Sequence, residues 1–277
     1  MIRTLYRVMI AALISLGLPA LRVSAHPPAE DAAAGKDQAL LPAYIERLEM
    51  RTIDSDALVA PVNRPLYSYA DSARRIAEGA IWAWGPTGRP LAMAKCWKNA
   101  NETRTCAFTL TSDARVVALG PQSKLWKPAQ TQVEPAQLKD APAPARQDTA
   151  RLRQLKEQAR RFSAHEFWEP DNSRFELRLL VQPIYRYQDE QRQIQDAAVF
   201  IMAFDNNPQI LMSLEILGSA AGEARWQYLL ARVSSAELHV SIDDKEVWKQ
   251  QRTPAIVGRP NDYYWHMVTA PDPPNGP

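Results

Sequence analysis

Ala197-Ala198-Val199-Phe200-Ile201-Met202-Ala203-Phe204-Asp205-Asn206-Asn207-Pro208-Gln209-Ile210-Leu211-Met212-Ser213-Leu214-Glu215-Ile216-Leu217 reads as two strands and the turn between them. Ala197–Phe204 is apolar on both faces, the pattern of a central strand covered on both sides. Asp205-Asn206-Asn207-Pro208 is a turn signal, because Asn and Asp bond to their own backbone and tolerate left-handed conformations. Ile210–Leu217 resumes as the partner strand.

Working outward, the neighbours are also β. Phe175, Leu177, Leu179 and Val181 alternate with Glu176, Arg178 and Leu180, as in a half-buried strand. Pro183 is expected to interrupt it, with Ile184–Tyr187 resuming and Gln188–Gln195 a polar loop. Arg225–Arg232, Glu237–Ile242 and Glu246–Lys249 are further strands, and Asp243-Asp244-Lys245 is a tight hairpin. About seven strands point to a β-sandwich, or to an open antiparallel sheet packed on a helix. That helix precedes the strands. Asp148 or Thr149 caps it, and Leu152, Leu155, Ala159 and Phe162 form its apolar stripe. Its basic face, from Arg151 to Arg161, reads as solvated.

The N-terminal half repeats the theme on a smaller scale. Leu41, Tyr44, Ile45 and Leu48 predict a helix over Asp37–Arg51, with Pro42 in its first turn. Asp54–Arg75 reads as irregular, with a short helical turn at Asp71–Arg75. Ala80–Trp84, the turn Gly85-Pro86-Thr87-Gly88, Pro90–Trp97, Thr105–Thr111 and Arg115–Leu119 form an antiparallel meander. The expected class is therefore mainly β (α+β). The expected divisions are a leader at 1–25, a spacer at 26–36, a small α+β domain at 37–120 and a Pro-rich linker at 121–148. A helix plus antiparallel β domain at 149–270 and an unfolded tail at 271–277 follow.

The leader carries an address. Arg3 and Arg7, then the apolar run Val8–Leu21, then Val23-Ser24-Ala25 make the pattern of a secretory signal peptide cut before His26. The run is about fourteen residues, short of the roughly twenty that span a bilayer. The alternative is retention as an anchor. The chain carries 33 basic and 31 acidic residues. Loss of Arg3, Arg7 and Arg22 leaves 30 basic against 31 acidic, a formal charge of −1. A near-neutral mature chain has no global electrostatic pull toward nucleic acid or an anionic membrane. It is expected to be periplasmic or secreted, with no stable membrane insertion after cleavage. In that compartment the only cysteines, Cys96 and Cys106, are expected to pair as a disulfide rather than stay buried thiols.

Gly88-Arg89-Pro90-Leu91-Ala92, Arg151-Leu152-Arg153-Gln154-Leu155, Arg160-Arg161-Phe162-Ser163-Ala164-His165, Glu176–Tyr187 and Arg225–Arg232 resemble stretches of an uncharacterised family of exported proteins typical of planctomycete bacteria. The likeness covers most of the mature chain. It implies a bacterial exported protein and assigns no activity and no site residue.

Motifs with known chemistry are scarce. His165-Glu166-Phe167-Trp168-Glu169 begins like a zinc-peptidase helix, but Glu169 stands where the second His is required, so no metal site is expected. No Gly-x-Ser-x-Gly and no Gly-rich phosphate loop is present, and no cofactor is expected. His239 alternates with apolar neighbours and is expected to face solvent. Glu215 is the one candidate catalytic acid. It falls on the face of Leu211, Ser213 and Leu217, and a structural pairing with Arg178 or Arg232 is the stronger expectation. Arg178, Tyr185, Arg186, Tyr187 and Trp226 are candidate binding residues, since aromatics beside Arg stack on sugars or peptides. The alternative for them is sheet-face packing. The functional expectation is a non-catalytic binding or scaffolding protein of the cell envelope, its partner an envelope protein or glycan. The alternative is a hydrolase of sugar or ester bonds, with Glu215 and an acid such as Glu166 or Glu176.

Overall fold

The structure, a computed structural model, describes residues 40–101, 103–120, 124–129, 133–168, 171–218, 224–253 and 263–268. The leader, the spacer and the tail lie outside the described residues. The described residues fall in one compact unit.

Helix α1 (Leu40–Arg47) is shorter than expected, and β1 (Glu49–Thr52) takes over its last residues. Leu48 N–H closes the final turn on the Tyr44 and Ile45 carbonyls. Met50, fully buried, then reaches the core from an extended backbone. Long-range pairing has overridden the helical period here. A second correction is β2 (Tyr67–Asp71), in a stretch expected to be irregular. It pairs with β3 (Ile76–Trp84), Tyr69 opposite Gly79. Asp71 to Arg75 is the turn between them, Arg75 taking a positive φ, not a helical start.

The meander continues as β4 (Ala92–Lys98) and β5 (Arg104–Leu110), whereas β6 (Val116–Leu119), expected as its next strand, leaves that sheet and pairs with β1. Cys96 lies directly opposite Cys106 and the two form a disulfide. Within the stretch expected as linker, β7 (Lys124–Trp126) and β8 (Ala136–Gln137) are short strands.

Helix α2 (Asp148–Ala159) ends three residues early, where Arg160 and Arg161 N–H groups close the last turn. Phe162 then opens β9 (Phe162–Trp168), a strand where a polar junction was expected. β10 (Ser173–Asp189) runs through Pro183 unbroken. Its register with β11 (Ile194–Phe204) slips between Leu180 and Tyr185, so Pro183 sits where the ladder is already interrupted and its missing N–H is tolerated. β12 (Asn207–Leu217), β13 (Arg225–Arg232), β14 (Glu237–Ile242), β15 (Lys245–Gln250) and β16 (Tyr263–Val268) complete the order. Asp243 and Asp244, both at positive φ, form the expected hairpin between β14 and β15.

All sheets are antiparallel. The largest is a curled eight-stranded sheet, ordered β15-β14-β9-β10-β11-β12-β13-β8. A five-stranded sheet runs β16-β5-β4-β3-β2, and β1-β6-β7 form a third. β11 explains why its sequence is apolar throughout. Ala197, Val199, Ile201 and Ala203 pack in one core with Ile81, Trp84 and Phe108 of the five-stranded sheet. Ala198, Phe200 and Met202 pack in the other with Leu155 and Ala159 of α2. The first core draws residues from Ile45 to Tyr264, so the segments before and after 121–148 share it. Among the described residues no helix is long and apolar enough to cross a membrane.

Candidate functional site

Glu215 is fully buried in the middle of β12. Arg89 holds it bidentately, Nε to Oε1 and Nη2 to Oε2, both at 2.7 Å. The Tyr187 hydroxyl donates to Oε1 at 2.6 Å and Gln227 Nε2 to Oε2 at 2.5 Å. Burial, with the Glu215 charge beside it, pushes the Tyr187 phenol well above its ordinary value. The carboxylate is thus fully engaged, as a structural pair. Its cation comes from the β3–β4 turn rather than from Arg178 or Arg232, which are occupied elsewhere. Arg178 donates to the Asp205 carbonyl and Asn206 Oδ1 at 2.9 Å each. Arg232 donates to the Ser234 and Ala236 carbonyls at 2.8 and 2.7 Å.

The other candidates are likewise bound into the fold. Tyr185 donates to the Pro86 carbonyl at 3.0 Å. Arg186 grips Asp196 at 2.8 and 2.6 Å, and buried Trp226 donates to the Pro142 carbonyl at 2.8 Å. Glu176 is exposed and pairs with Arg174. His239 does not face solvent. β14 lies inside the sheet, so His239 stacks on His165 with ring centroids 4.5 Å apart and bonds to Glu237 and Glu246.

A different cluster has the features of a site. It forms where the turn after β2, strand β4, the end of β9 and the starts of β12 and β16 converge. A cavity of about 380 Å³ opens there, lined in part by Arg74, Lys95, Trp97, Trp168, Asn207 and Tyr263. A second cavity of about 510 Å³ shares Arg74 and Trp97 with it and continues over Asn99, Asn101, Thr103 and Thr105. Both volumes are in the range of small-molecule sites, about 300–1,000 Å³.

Lys95 is 5 % exposed. On β4 it alternates with Cys96, which turns to the core, and shares its face with Trp97. Its Nζ donates to the Pro208 carbonyl at 2.7 Å and lies 5.7 and 5.6 Å from the Tyr69 and Trp97 ring centres. Among the described residues no carboxylate stands within 4 Å of it. Tyr69 can lie there because Gly79 faces it. A Cβ at Gly79 would come 2.3 Å from the Tyr69 ring.

The two nearby acids belong to Arg74. Its Nη2 donates to Glu166 Oε1 at 2.5 Å and its backbone N–H to Asp71 Oδ1 at 3.0 Å. Asn207 Nδ2 donates to Asp71 Oδ2 at 2.7 Å. The Arg74 guanidinium lies over the Phe204 and Trp168 rings, 4.7 and 5.3 Å from their centres. Four buried atoms of this cluster have no hydrogen-bond partner among the described residues: Arg74 Nη1, Glu166 Oε2, Asn207 Oδ1 and the Tyr69 hydroxyl. Nine in ten or more buried polar groups are partnered in folded proteins, by protein or by ordered water, so four together beside a cavity are groups that water or a ligand in it would satisfy.

The electrostatics agree. Burial, reinforced by the Arg74 charge, pushes the Lys95 amine down to about 7, against the pull of Glu166 and Asp71. Burial holds the Glu166 carboxyl above its usual range, opposed by Arg74. Shifted titratable groups are found at functional sites and in buried ion-pair networks alike.

One signal of this cluster is present in the sequence. Lys95 is the lone charge in Leu91-Ala92-Met93-Ala94-Lys95-Cys96-Trp97, an otherwise apolar strand. Arg74, Glu166 and Asn207 come from three other elements, and nothing in their local sequence ties them together. No family model, curated protein or solved structure matches this chain.

Proposed function

We propose that this is an exported, non-catalytic binding protein of the cell envelope, and that its ligand is a saccharide held in the paired cavities at Arg74 and Trp97. The leader pattern, the Cys96–Cys106 disulfide and the resemblance to exported planctomycete proteins support export. The observation that carries the binding reading is the lining. Half-buried Trp97 and Trp168 line the cavities, with Lys95 near the Trp97 ring and Arg74 and Arg252 near the Trp168 ring. The amides and hydroxyls of Asn99, Asn101, Thr103, Thr105, Asn207 and Gln209, largely hydrogen-bonded within the fold, complete the lining. A sugar ring has matching halves, apolar C–H faces and a rim of hydroxyls that donate and accept. Two adjoining cavities suit a chain of sugar units better than one small molecule.

The hydrolase alternative needs two carboxyls flanking the bond to be cut. Glu215 is consumed by Arg89, and Asp71 and Glu166 are 1 % exposed or less and serve Arg74. The test is tryptophan fluorescence of the purified protein against a panel of oligosaccharides. Saturable quenching that disappears in Trp97→Ala supports the reading. Absence of binding across the panel rejects it, and release of shortened saccharides would establish the hydrolase instead.

A further inference from the structure

We infer that the saccharide is an acidic one, its carboxylate held between Lys95 Nζ and the Arg74 guanidinium; the inference deepens the binding reading above and rests on it. Both cations line the same cavity. An ammonium has three donors, and Lys95 uses one, on the Pro208 carbonyl. Burying a cation with no anion in contact is costly, and Lys95, 5 % exposed, has none within 4 Å among the described residues. The charged groups that face it are Arg74, Glu166 and Asp71. The two acids stand against Arg74, at 2.5 Å for Glu166 and 3.6 Å for the Asp71 Oδ2 contact, and neither approaches Lys95 within 4 Å. Arg74 Nη1, the atom 3.6 Å from Asp71 Oδ2, makes no hydrogen bond.

Other guanidinium groups lie close by. The Arg252 guanidinium lies 5.5 Å from the Trp168 ring centre, Arg232 lies 5.3 Å from that of Tyr263, and Arg75 lines the adjoining cavity. A ligand carboxylate would supply the missing partner of Lys95 and an acceptor for Arg74. A neutral sugar would leave the lysine as it is. Binding an anion there favours the ammonium form. Above the pH at which the free amine titrates, binding must therefore take up a proton and weaken.

The test is titration calorimetry with galacturonate and mannuronate oligosaccharides against their neutral galactose and mannose counterparts. At pH 6 an acidic oligomer should bind at least about tenfold tighter than its neutral counterpart, the effect of one charge-assisted contact. The preference should shrink from pH 6 to pH 9, and two buffers of different ionisation heat should reveal proton uptake. Lys95→Met should remove both the preference and the proton uptake while keeping a cooperative melt. Lys95→Arg, always charged, should keep the preference and lose its pH dependence. Equal binding of acidic and neutral oligomers would overturn the inference and leave the saccharide reading standing. Failure of both sets to bind would overturn both. Inorganic phosphate displacing the uronate at equal concentration would also overturn it, by assigning the cations to a free anion.

Discussion

Arg89 and Glu215, 126 residues apart, form a bidentate ion pair with both bonds at 2.7 Å and both side chains buried. The contact joins the β3–β4 turn of the five-stranded sheet to the middle of the eight-stranded one. Gly88, at φ +74°, makes the approach possible, since a Cβ there would meet Asp189 Oδ2 at 2.7 Å. Asp189 accepts the Arg89 backbone N–H, so turn and side chain are anchored together.

Removing one partner of this pair strands the other's charge in the core. Glu215→Leu is expected to cost about 3–5 kcal/mol. The double variant Arg89→Met with Glu215→Leu should recover much of that loss, because no lone charge remains. Urea unfolding measures both. A Glu215→Leu protein as stable as the original would show that the pair has no structural weight.

The disulfide closes a short loop across β4 and β5, the sequence separation being 10 residues. Replacing both cysteines by Ala should cost about 2–3 kcal/mol in the chain-entropy account. The same loss should appear when the original protein is unfolded in reductant. If reductant leaves the urea midpoint unchanged, the bond is not formed in the mature protein.

Lys95 gives stability a distinctive pH dependence. Its amine titrates at about 7 in the fold and at 10.5 when ordinary, as in the unfolded chain. Between those values the unfolded chain binds a proton that the folded chain lacks. The contribution of this group to stability therefore rises with pH across 7 to 10.5 and is lost as pH falls to 7. Lys95→Met should be relatively most stabilised near pH 6, its advantage shrinking toward pH 10. The readout is the difference in urea midpoint between the two proteins, and a difference flat in pH would refute the titration.

Gly79→Ala places a methyl against the Tyr69 ring. Because Tyr69 is pinned between β3 and Lys95, the expected cost is about 1–3 kcal/mol of overpacking. Thermal melts would register it, together with a changed near-ultraviolet aromatic signal. A neutral outcome would mean that Tyr69 moves aside freely.

Period-two and turn signals were legible where local chemistry and final structure agree. The β3–β4–β5 hairpins, the Asp205-Asn206 and Asp243-Asp244 turns and the cross-strand cysteines all follow from neighbouring residues, whereas Asn207 and Pro208, expected in the turn, already pair with Phe204 and Ala203 as the start of β12. β9 was not legible, because Phe162-Ser163-Ala164-His165-Glu166 continues a helical stripe as readily as it alternates. The hydrogen-bonding partners of β9 are β10 and β14. The path through Pro183 was hidden for the same reason, since only the slip against β11 makes room for a proline.

The sequence by itself determined a mainly antiparallel β protein with a two-sided central hairpin and a pair of cysteines placed to meet. Those properties reside in spacings of two to ten residues, and the backbone enforces them locally. Only the tertiary structure decided that Glu215 answers to Arg89, and that Arg74, Lys95, Glu166 and Asn207 meet around one cavity. Their partners lie 92 to 136 residues away. Which charge meets which is set by how two sheets stack, and no local period encodes that.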